Sequence, residues 1–329
     1  MTATSLPRIS VIVVNYNSEH WLDKCLTSIS VQTYAPLEVI LVDNASTNED
    51  WATIAARFPS VLQIRSPINL GFAGGNNLGI DAASGDFLLL LNADAWLEPD
   101  AISSLFAELC ARKLDLIAPV EIGYASSANA TERRYYSLDV LGHCVSFGQP
   151  SQRGVFYVSG ACLLVSRRVY FGSGGLDSDF FMYFEESDWC WRLHLYGYRL
   201  ANALSTTVHH AGSSGTIGLL RAQMFIWRNV NCLTMLLKNY SALSLVLVLP
   251  IYFLQNCVEI CFFLFTGKIS IARTYFAAWA EVVRNFRSTL LKRHGIQSNR
   301  RVSDLVILRK MSWLPGKLLH LMQWPALRR

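Results

Sequence analysis

Gly85-Asp86-Phe87-Leu88-Leu89-Leu90-Leu91-Asn92-Ala93-Asp94-Ala95-Trp96 is the stretch that decides the fold. Its apolar run, residues 87–91, is too short to cross a membrane and fits a strand buried on both faces of a mostly parallel sheet. The run stops at Asn92 and Asp94, an amide and a carboxylate two residues apart, and Pro99 closes the segment. Side chains alternate along a strand, so these two can share a face. Ligands of open α/β sheets bind beyond the carboxyl ends of the strands. Short oxygen-bearing side chains there suit a hydrated Mg2+ or Mn2+ that bridges substrate phosphates. The same residues also fit a strand that merely ends in a polar turn.

The preceding residues repeat one pattern. Residues 9–14 (ISVIVV) form a β-branched strand ending at Asn15-Tyr16-Asn17-Ser18. Trp21, Leu22, Cys25, Leu26 and Ile29 then recur at helical spacing, with Ser18 as the expected N-cap. A second strand, 37–42, ends at Asp43. A helix over 50–58 and a strand over 61–64 follow. This alternation predicts an α/β, doubly wound, mostly parallel sheet. The Gly- and Asn-rich stretch 69–79 lacks the Lys-Ser/Thr of a P-loop, and no glycine stands in the first β-α turn, which argues against Rossmann-type dinucleotide binding. Its glycines are read as allowing close backbone approach to a ligand, or as a structural turn.

Residues 155–165 are strand material. After them come three carboxylates within four residues, Glu185, Glu186 and Asp188, bracketed by Phe184 and Trp189. Apolar surroundings raise a carboxylate's pKa and suit it to general-base work. Acids in the first turn of a helix over 185–195 would also favour the helix dipole. His209 and His210 head a Gly/Ser-rich loop and are candidate ligands.

The 329 residues are 52% hydrophobic and 16% charged, and both properties are uneven. From Glu281 onward eleven Lys/Arg face two Asp/Glu, so a basic tail of +9 follows a body of −4. Such a tail points to nucleic acid, anionic lipid or a phosphorylated substrate, and its Trp and Leu content favours lipid over nucleic acid. The sequence shows no charged-then-apolar leader pattern at its start, and its eight cysteines contain no C-x-x-C pair, which fits a reducing, cytosolic setting without structural zinc.

Residues 242–265 would measure roughly 36 Å as a helix, long enough to span a bilayer. They contain Pro250, Gln255, Asn256 and Glu259, and both flanks are basic (Arg221, Arg228 and Lys238 before; Lys268 and Arg273 after). An intramembrane Glu is expensive, and basic flanks favour the cytoplasmic side for both ends. The expectation is an interfacial or re-entrant hairpin rather than a single span. Residues 275–291 and 305–324 read as basic amphipathic helices carrying Trp, suited to a membrane surface.

Seven pieces, SVIVVNYN (10–17), LVDNAST (41–47), NLGFAGGNNLG (69–79), LLLLNADAWLEP (88–99), GACLLVSR (160–167), FFMYFEESDWCWRLHLYGYR (180–199) and HHAGSSG (209–215), resemble in order and spacing the inverting family-2 glycosyltransferases of the GT-A fold, especially bacterial rhamnosyltransferase-like members. The resemblance implies a GT-A catalytic domain over residues 1–220 and a helical, membrane-associating region over 221–329. It implies that Asn15, Asn17 and Asp43 bind the base and ribose, that Gly74, Asn76 and Asn77 contact nucleotide or phosphate, and that Asn92, Gly160 and Trp189 help hold substrate. Asp94 and His210 become the ligands of Mg2+ or Mn2+. The acid segment supplies the base: Glu186 first, where many relatives have Asp, with Glu185 and Asp188 as alternatives.

The implied reaction moves a sugar, with rhamnose as the family-level guess, from a dTDP-, UDP- or GDP-linked donor to a polyprenyl-diphosphate-linked glycan. The implied place is the cytoplasmic face of a bacterial inner membrane, peripherally attached. A membrane-tethered glycan-binding protein with a degenerate transferase fold is the competing reading. A sugar nucleotidyltransferase would need an N-terminal glycine-rich, basic loop that this sequence lacks.

Overall fold

A computed structural model describes residues 6–124, 131–212, 221–313 and 316–317. In chain order the elements are β1 (Ile9–Asn15), α1 (Glu19–Ser30), β2 (Leu37–Asp43), α2 (Asp50–Ala55), β3 (Val61–Arg65), α3 (Gly71–Ala82), β4 (Phe87–Asn92), β5 (Ala95–Leu97), α4 (Ala101–Ala111), β6 (Leu116–Tyr124), β7 (Thr131–Leu138), β8 (Cys144–Phe147), β9 (Cys162–Ser166), α5 (Arg167–Gly172), α6 (Glu185–Leu195), β10 (Leu200–His210), α7 (Arg221–Asn239), α8 (Ala242–Phe265), α9 (Ile269–Arg284), α10 (Phe286–Ser298) and α11 (Asp304–Lys310).

The leucine run forms β4, and its period of two feeds two cores. Leu88 and Leu90 pack on one face of the sheet with Ile12 and Val42, while Leu89 and Leu91 pack on the other with Val11, Leu22 and Leu105. A strand buried on both faces has no solvent side to favour polar residues, which explains its unbroken apolar sequence. The sheet runs β3-β2-β1-β4-β9-β6-β10-β5. β1 to β4 are mutually parallel and β6 pairs parallel with β10, whereas β9 lies antiparallel between β4 and β6.

Because β9 is reversed, its start lies beside the end of β4, where Asn92 N donates to Ala161 O at 2.9 Å. Gly160 therefore reaches the same edge of the sheet as the carboxyl ends of β1, β2, β4 and β10. The strand expected over 155–165 is shorter in the structure, beginning at Cys162. Before it Tyr157 makes an isolated antiparallel bridge with Tyr136 of β7, and Ser159 Oγ donates to Glu121 at 2.5 Å. Ser18 stands at the N-cap of α1, but its hydroxyl donates to Tyr16 O and does not cap the helix.

The stretch 69–79, expected to precede a short helix, is itself most of α3. Its glycines allow protein to approach protein: a β-carbon on Gly75 would lie 2.7 Å from Val14 and one on Gly79 would lie 2.6 Å from Ile12. The amphipathic run expected over 275–291 breaks at Asn285 into α9 and α10. Of the run over 305–324, α11 is helical and residues 318–324 lie outside the described residues, as do the expected domain boundary at 220 and the loop 213–215.

The C-terminal helices share a core with the sheet domain. Met235, Leu236 and Tyr240 of α7 pack with Phe156, Trp189 and Trp191. Among these apolar contacts lies a buried ionic cluster. Asp188, with no exposure, accepts from Arg192 Nε at 2.9 Å, Lys238 Nζ at 3.0 Å and Asn239 Nδ2 at 2.9 Å. Lys238 also reaches Asp177 at 2.6 Å, and Lys292 of α10 bonds Asp177 as well. Breaking a buried pair leaves an uncompensated charge. Lys238→Ala is therefore expected to destabilise the chain by about 3–5 kcal/mol in urea unfolding, and a loss below about 1 kcal/mol would show that the cluster does not join α6 to α7.

Candidate active site

At the shared sheet edge lies a cleft of about 540 Å³, within the usual range for small-molecule sites. Asn92 and Asp94 line it from the end of β4 and the turn after it, Gly160 from the approach to β9, Glu185 and Glu186 from the start of α6, and His210 from the end of β10. Separate chain segments thus bring the expected residues together.

His210 is the centre of one wall. Its Nε2 lies 3.2 Å from Asp94 Oδ1 and 3.3 Å from Asn92 Nδ2, while its Nδ1 lies 3.1 Å from Glu121 Oε1. Burial disfavours the imidazolium, but the hydrogen bonds with Asp94 and Glu121 outweigh it and raise His210 to about 10. Glu121, 3% exposed, also accepts from Tyr136 Oη at 2.9 Å and from Ser159. Burial alone would raise this carboxyl, but the donors around it, His210 foremost, hold it below the usual glutamate value. His209, one residue earlier, faces the other way, stacked on Trp96 with Glu98 at 3.2 Å. Strand alternation thus divides the histidine pair, leaving His210 at the cleft.

The donor set fits a divalent cation. Asp94 Oδ1 and His210 Nε2 meet at one point, where an arriving cation would have to displace the Nε2 proton. The far nitrogen of that imidazole rests on a buried carboxylate, the arrangement that orients metal-bound histidines. Among the described residues no group of three or more His, Cys, Asp or Glu is placed to hold a metal ion. Two protein ligands suit an ion that also takes phosphate oxygens and water.

The acid pair lines the cleft from the start of α6. Tyr183 and Phe184, just before it, both have φ of 72°, a left-handed conformation that costs on the order of 1–2 kcal/mol for each residue with a β-carbon. α6 then starts at Glu185. Glu185 is 6% exposed, and one carboxyl oxygen of Glu185 and one of Glu186 are buried without a hydrogen-bond partner. Burial, and then the neighbouring Glu186 charge, push Glu185 well above the usual glutamate range. Burial pushes Glu186 up to about 7; the backbone N–H groups of Glu186 and Ser187 oppose that rise and the charge of Glu121 adds to it. A β-carbon on Gly160 would meet the Phe72 ring at 3.1 Å, so glycine keeps the space between Phe72 and Glu186 open.

Other expected residues are placed differently. Asp188 is a correction: its oxygens are taken by Arg192, Lys238 and Asn239 in the core, which leaves it no contact with the cleft and no room to act as a base. Trp189 is fully buried and donates to Ser173 Oγ at 2.8 Å. Asn76 donates to Phe72 O, and Asn77 bonds Leu176 O and Tyr170 Oη. Gly74 lies inside α3 against Leu70. None of these four lines the cleft, and their expected substrate contacts find no support in this geometry.

Asn15 and Asp43 do meet at the ends of β1 and β2, at 3.3 Å, and both are fully buried. Asn17 Oδ1 accepts from Thr47 N and Oγ1, tying the first two β-α loops together. The surfaces lining that end of the cleft belong to Tyr16, Ser18, Asn44 and Asn69.

Glu121, Arg134, Tyr136 and Arg228 line the cleft without having been singled out from sequence. Glu121 alone left a signal, as a single acid inside the apolar run 116–124.

Comparison with known proteins agrees with this geometry. Residues 10–191, more than half of the chain, match the model of glycosyl transferase family 2. An N-acetylglucosaminyl-diphospho-decaprenol L-rhamnosyltransferase of Mycobacterium tuberculosis is 28% identical over 239 residues, 63% of this chain and 78% of that protein. Two other curated relatives are longer than their match: the chain spans 19% and 62% of their lengths. Among solved structures, Staphylococcus aureus TarS 1–349 in complex with UDP-GlcNAc superposes with a TM-score of 0.59 at 14% identity, covering 92% of this chain and 89% of that one. The Pyrobaculum calidifontis mannosyltransferase PcManGT in complex with GDP-Man and Mn2+ gives 0.53 at 17% identity, covering 90% and 86%. At these identities the two structures establish the GT-A fold. With the fold, the two-walled cleft and the family match in agreement, the chain belongs to glycosyl transferase family 2.

Proposed function

We propose that this glycosyltransferase transfers a sugar with inversion from a nucleotide-sugar donor to a hydroxyl of a lipid-linked glycan, in cell-surface polysaccharide biosynthesis. The observation that carries the reading is the pairing of the two walls. Asp94 and His210 line the same cleft as Glu186, which supports a reading in which the first two meet the leaving diphosphate and Glu186 meets the acceptor. Glu186 accepts the proton of the acceptor hydroxyl as its oxygen attacks the anomeric carbon, and the bond to the donor phosphate breaks on the opposite face of the sugar. Asp94 and His210 would hold Mg2+ or Mn2+, which when bound would supply neutralisation of the charge that builds on the departing diphosphate. Glu121 keeps the His210 ring oriented, and Asn92 holds it from the other side. Rhamnose is the sugar to test first, since the mycobacterial relative is named for it.

Glu186→Gln keeps the shape of the side chain and removes the base. Transfer is expected to fall by about 10²–10⁴-fold while nucleotide binding is kept, and full activity would reassign the role to Glu185. Because the base must be ionised and Glu186 is pushed up to about 7, kcat/KM should rise with pH through about 7. An acidic limb near the ordinary glutamate value of about 4.3 would mean that the reacting carboxyl is a solvated one.

Thermal melts with dTDP, UDP and GDP, each with Mn2+ or EDTA, test the other wall. A nucleotide at 100 times its Kd stabilises by about 2.7 kcal/mol. One nucleotide should do so only with metal, and Asp94→Ala should abolish the shift. An unchanged shift in that variant removes Asp94 from the metal site.

The proposed location is the cytoplasmic face of a bacterial inner membrane, peripherally bound. α8 is long and apolar enough to cross a bilayer, but its polar side chains turn toward the protein. Asn256 is fully buried, and Glu259 bonds Lys317 at 2.6 Å and Tyr275 of α9. The opposite face exposes Leu243, Val246, Leu247, Leu254, Val258 and Phe265, with Lys268 and Arg273 exposed just beyond it. An amphipathic helix beside basic residues lies in the plane of an anionic membrane. The chain should bind vesicles containing phosphatidylglycerol, lose binding in a Leu254→Glu/Val258→Glu variant, and be released from membranes by alkaline carbonate. Retention in the carbonate pellet would mean that α8 enters the bilayer core, as a crossing or a re-entrant hairpin.

A further inference from the structure

The turn that aims the acid pair is gripped from both sides by other parts of the chain. Tyr183 and Phe184 adopt φ of 72° although neither is glycine or asparagine. Such a backbone persists only where its surroundings over-determine it. On one side Phe72 N donates to Phe181 O at 2.9 Å, and Gly71 passes so close that a β-carbon there would lie 2.0 Å from that carbonyl. On the other side Asn231 of α7 donates through Nδ2 to Met182 O at 2.9 Å and to Tyr183 O at 2.8 Å. These carbonyls flank the first strained residue, so the amide fixes the peptide units on either side of it. Asn231 is 3% exposed, and water cannot take its place at those carbonyls. One turn earlier on α7, the Arg228 guanidinium lies 4.4 Å from the centre of the Tyr183 ring.

We propose that Asn231 is a positioning residue for sugar transfer. From outside the family-matched segment 10–191, it locks the left-handed turn 182–184 and so aims the carboxylate of Glu186 at the acceptor hydroxyl. The proposal rests on the reading of Glu186 as the base. Relaxing the turn toward right-handed helix or extended chain redirects the start of α6 and swings the carboxylate out of line. Binding of the donor nucleotide, which draws on Asp94 and His210, is left intact. Asn231 is thus expected to act on kcat and not on donor affinity.

The test is a double-mutant cycle read on kcat. Asn231→Ala deletes the amide, and Asn231→Asp keeps its shape while replacing the donor group with oxygen. Both should lower kcat by about tenfold or more, the scale on which misplacement of a reacting group acts. Donor KM and the metal-dependent melting shift with nucleoside diphosphate should stay within about twofold of wild type. The cycle is closed in a Tyr183→Gly background, where glycine adopts positive φ without strain and the clamp has only Phe184 left to hold. There the further loss on Asn231→Ala should shrink to about threefold or less. An amide that merely fills the core would lower the melting temperature equally in both backgrounds and leave no such coupling in kcat.

The proposal is overturned if both Asn231 variants keep kcat within about twofold of wild type. It is equally overturned if the loss is the same in the wild-type and Tyr183→Gly backgrounds. Should Asn231→Ala fail to fold, the isosteric Asn231→Asp carries the cycle. An inactive Glu186→Gln beside unimpaired Asn231 variants would remove the positioning role alone, whereas an active Glu186→Gln would remove the base reading and this proposal together.

Discussion

A carboxylate stripped of water has to be met by donors, and in this chain the rest of the catalytic end depends on how Asp188 meets that demand. It follows the acid pair on α6 and receives Arg192 from its own helix and Lys238 and Asn239 from α7. The second lysine of the cluster, Lys292, comes from α10 and reaches Asp177, just upstream of the strained turn. One buried ionic cluster therefore joins the acid helix, the turn that introduces it and two helices of the C-terminal region. Breaking such a cluster costs more than a surface pair could, because each remaining charge would stay buried. The C-terminal helices are part of what holds the acids in place.

The sheet supplies the second constraint. Parallel strands end at a common edge, and the reversal at β9 brings a glycine to that edge where another carboxyl end would otherwise project side chains. The two walls of the cleft differ in physical character. Both ring nitrogens of His210 are engaged by neighbouring side chains, giving a rigid, hydrogen-bonded group whose positive charge is stabilised by Asp94 and Glu121. Around Glu186 burial leaves an oxygen without a partner and raises the proton affinity of the carboxyl. A transferase needs this asymmetry: fixed charge for the leaving group and an available base for the incoming one.

α8 shows how tertiary packing changes the reading of a hydrophobic segment. Viewed as a linear string it carries an amide pair and a glutamate in the middle of a span-length helix, which is costly inside lipid. In the folded chain Glu259 bonds Lys317 and Tyr275 of α9, so the cost of its charge is offset within the protein, and an apolar face remains outside. The same residues that argue against a crossing leave the opposite side of the helix apolar and exposed.

The alternation of strands and helices, the doubly buried β4, the acid helix with its bounds at 185 and 195, and the positions of Asp94, Glu186 and His210 were all legible in the linear chain. Each leaves a local mark, whether period two, period 3.6 or a polar residue ending an apolar run, and seven ordered motifs tied them to one family. Which polar residues face the cleft was settled only by folding. Asp188 and Glu186 stand two apart on one helix and look equivalent in sequence, but α6 turns one toward Lys238 and the other toward Gly160. Asn76, Asn77 and Trp189 use their hydrogen bonds for packing, and Glu121 enters the site because β6 is parallel to β10 and lies alongside His210. Asn231 lies far beyond Glu186 in a different helix and bears no motif. Its role follows from two carbonyl contacts that exist only once α7 has docked, because hydrogen bonds between distant segments leave no periodicity in a linear sequence.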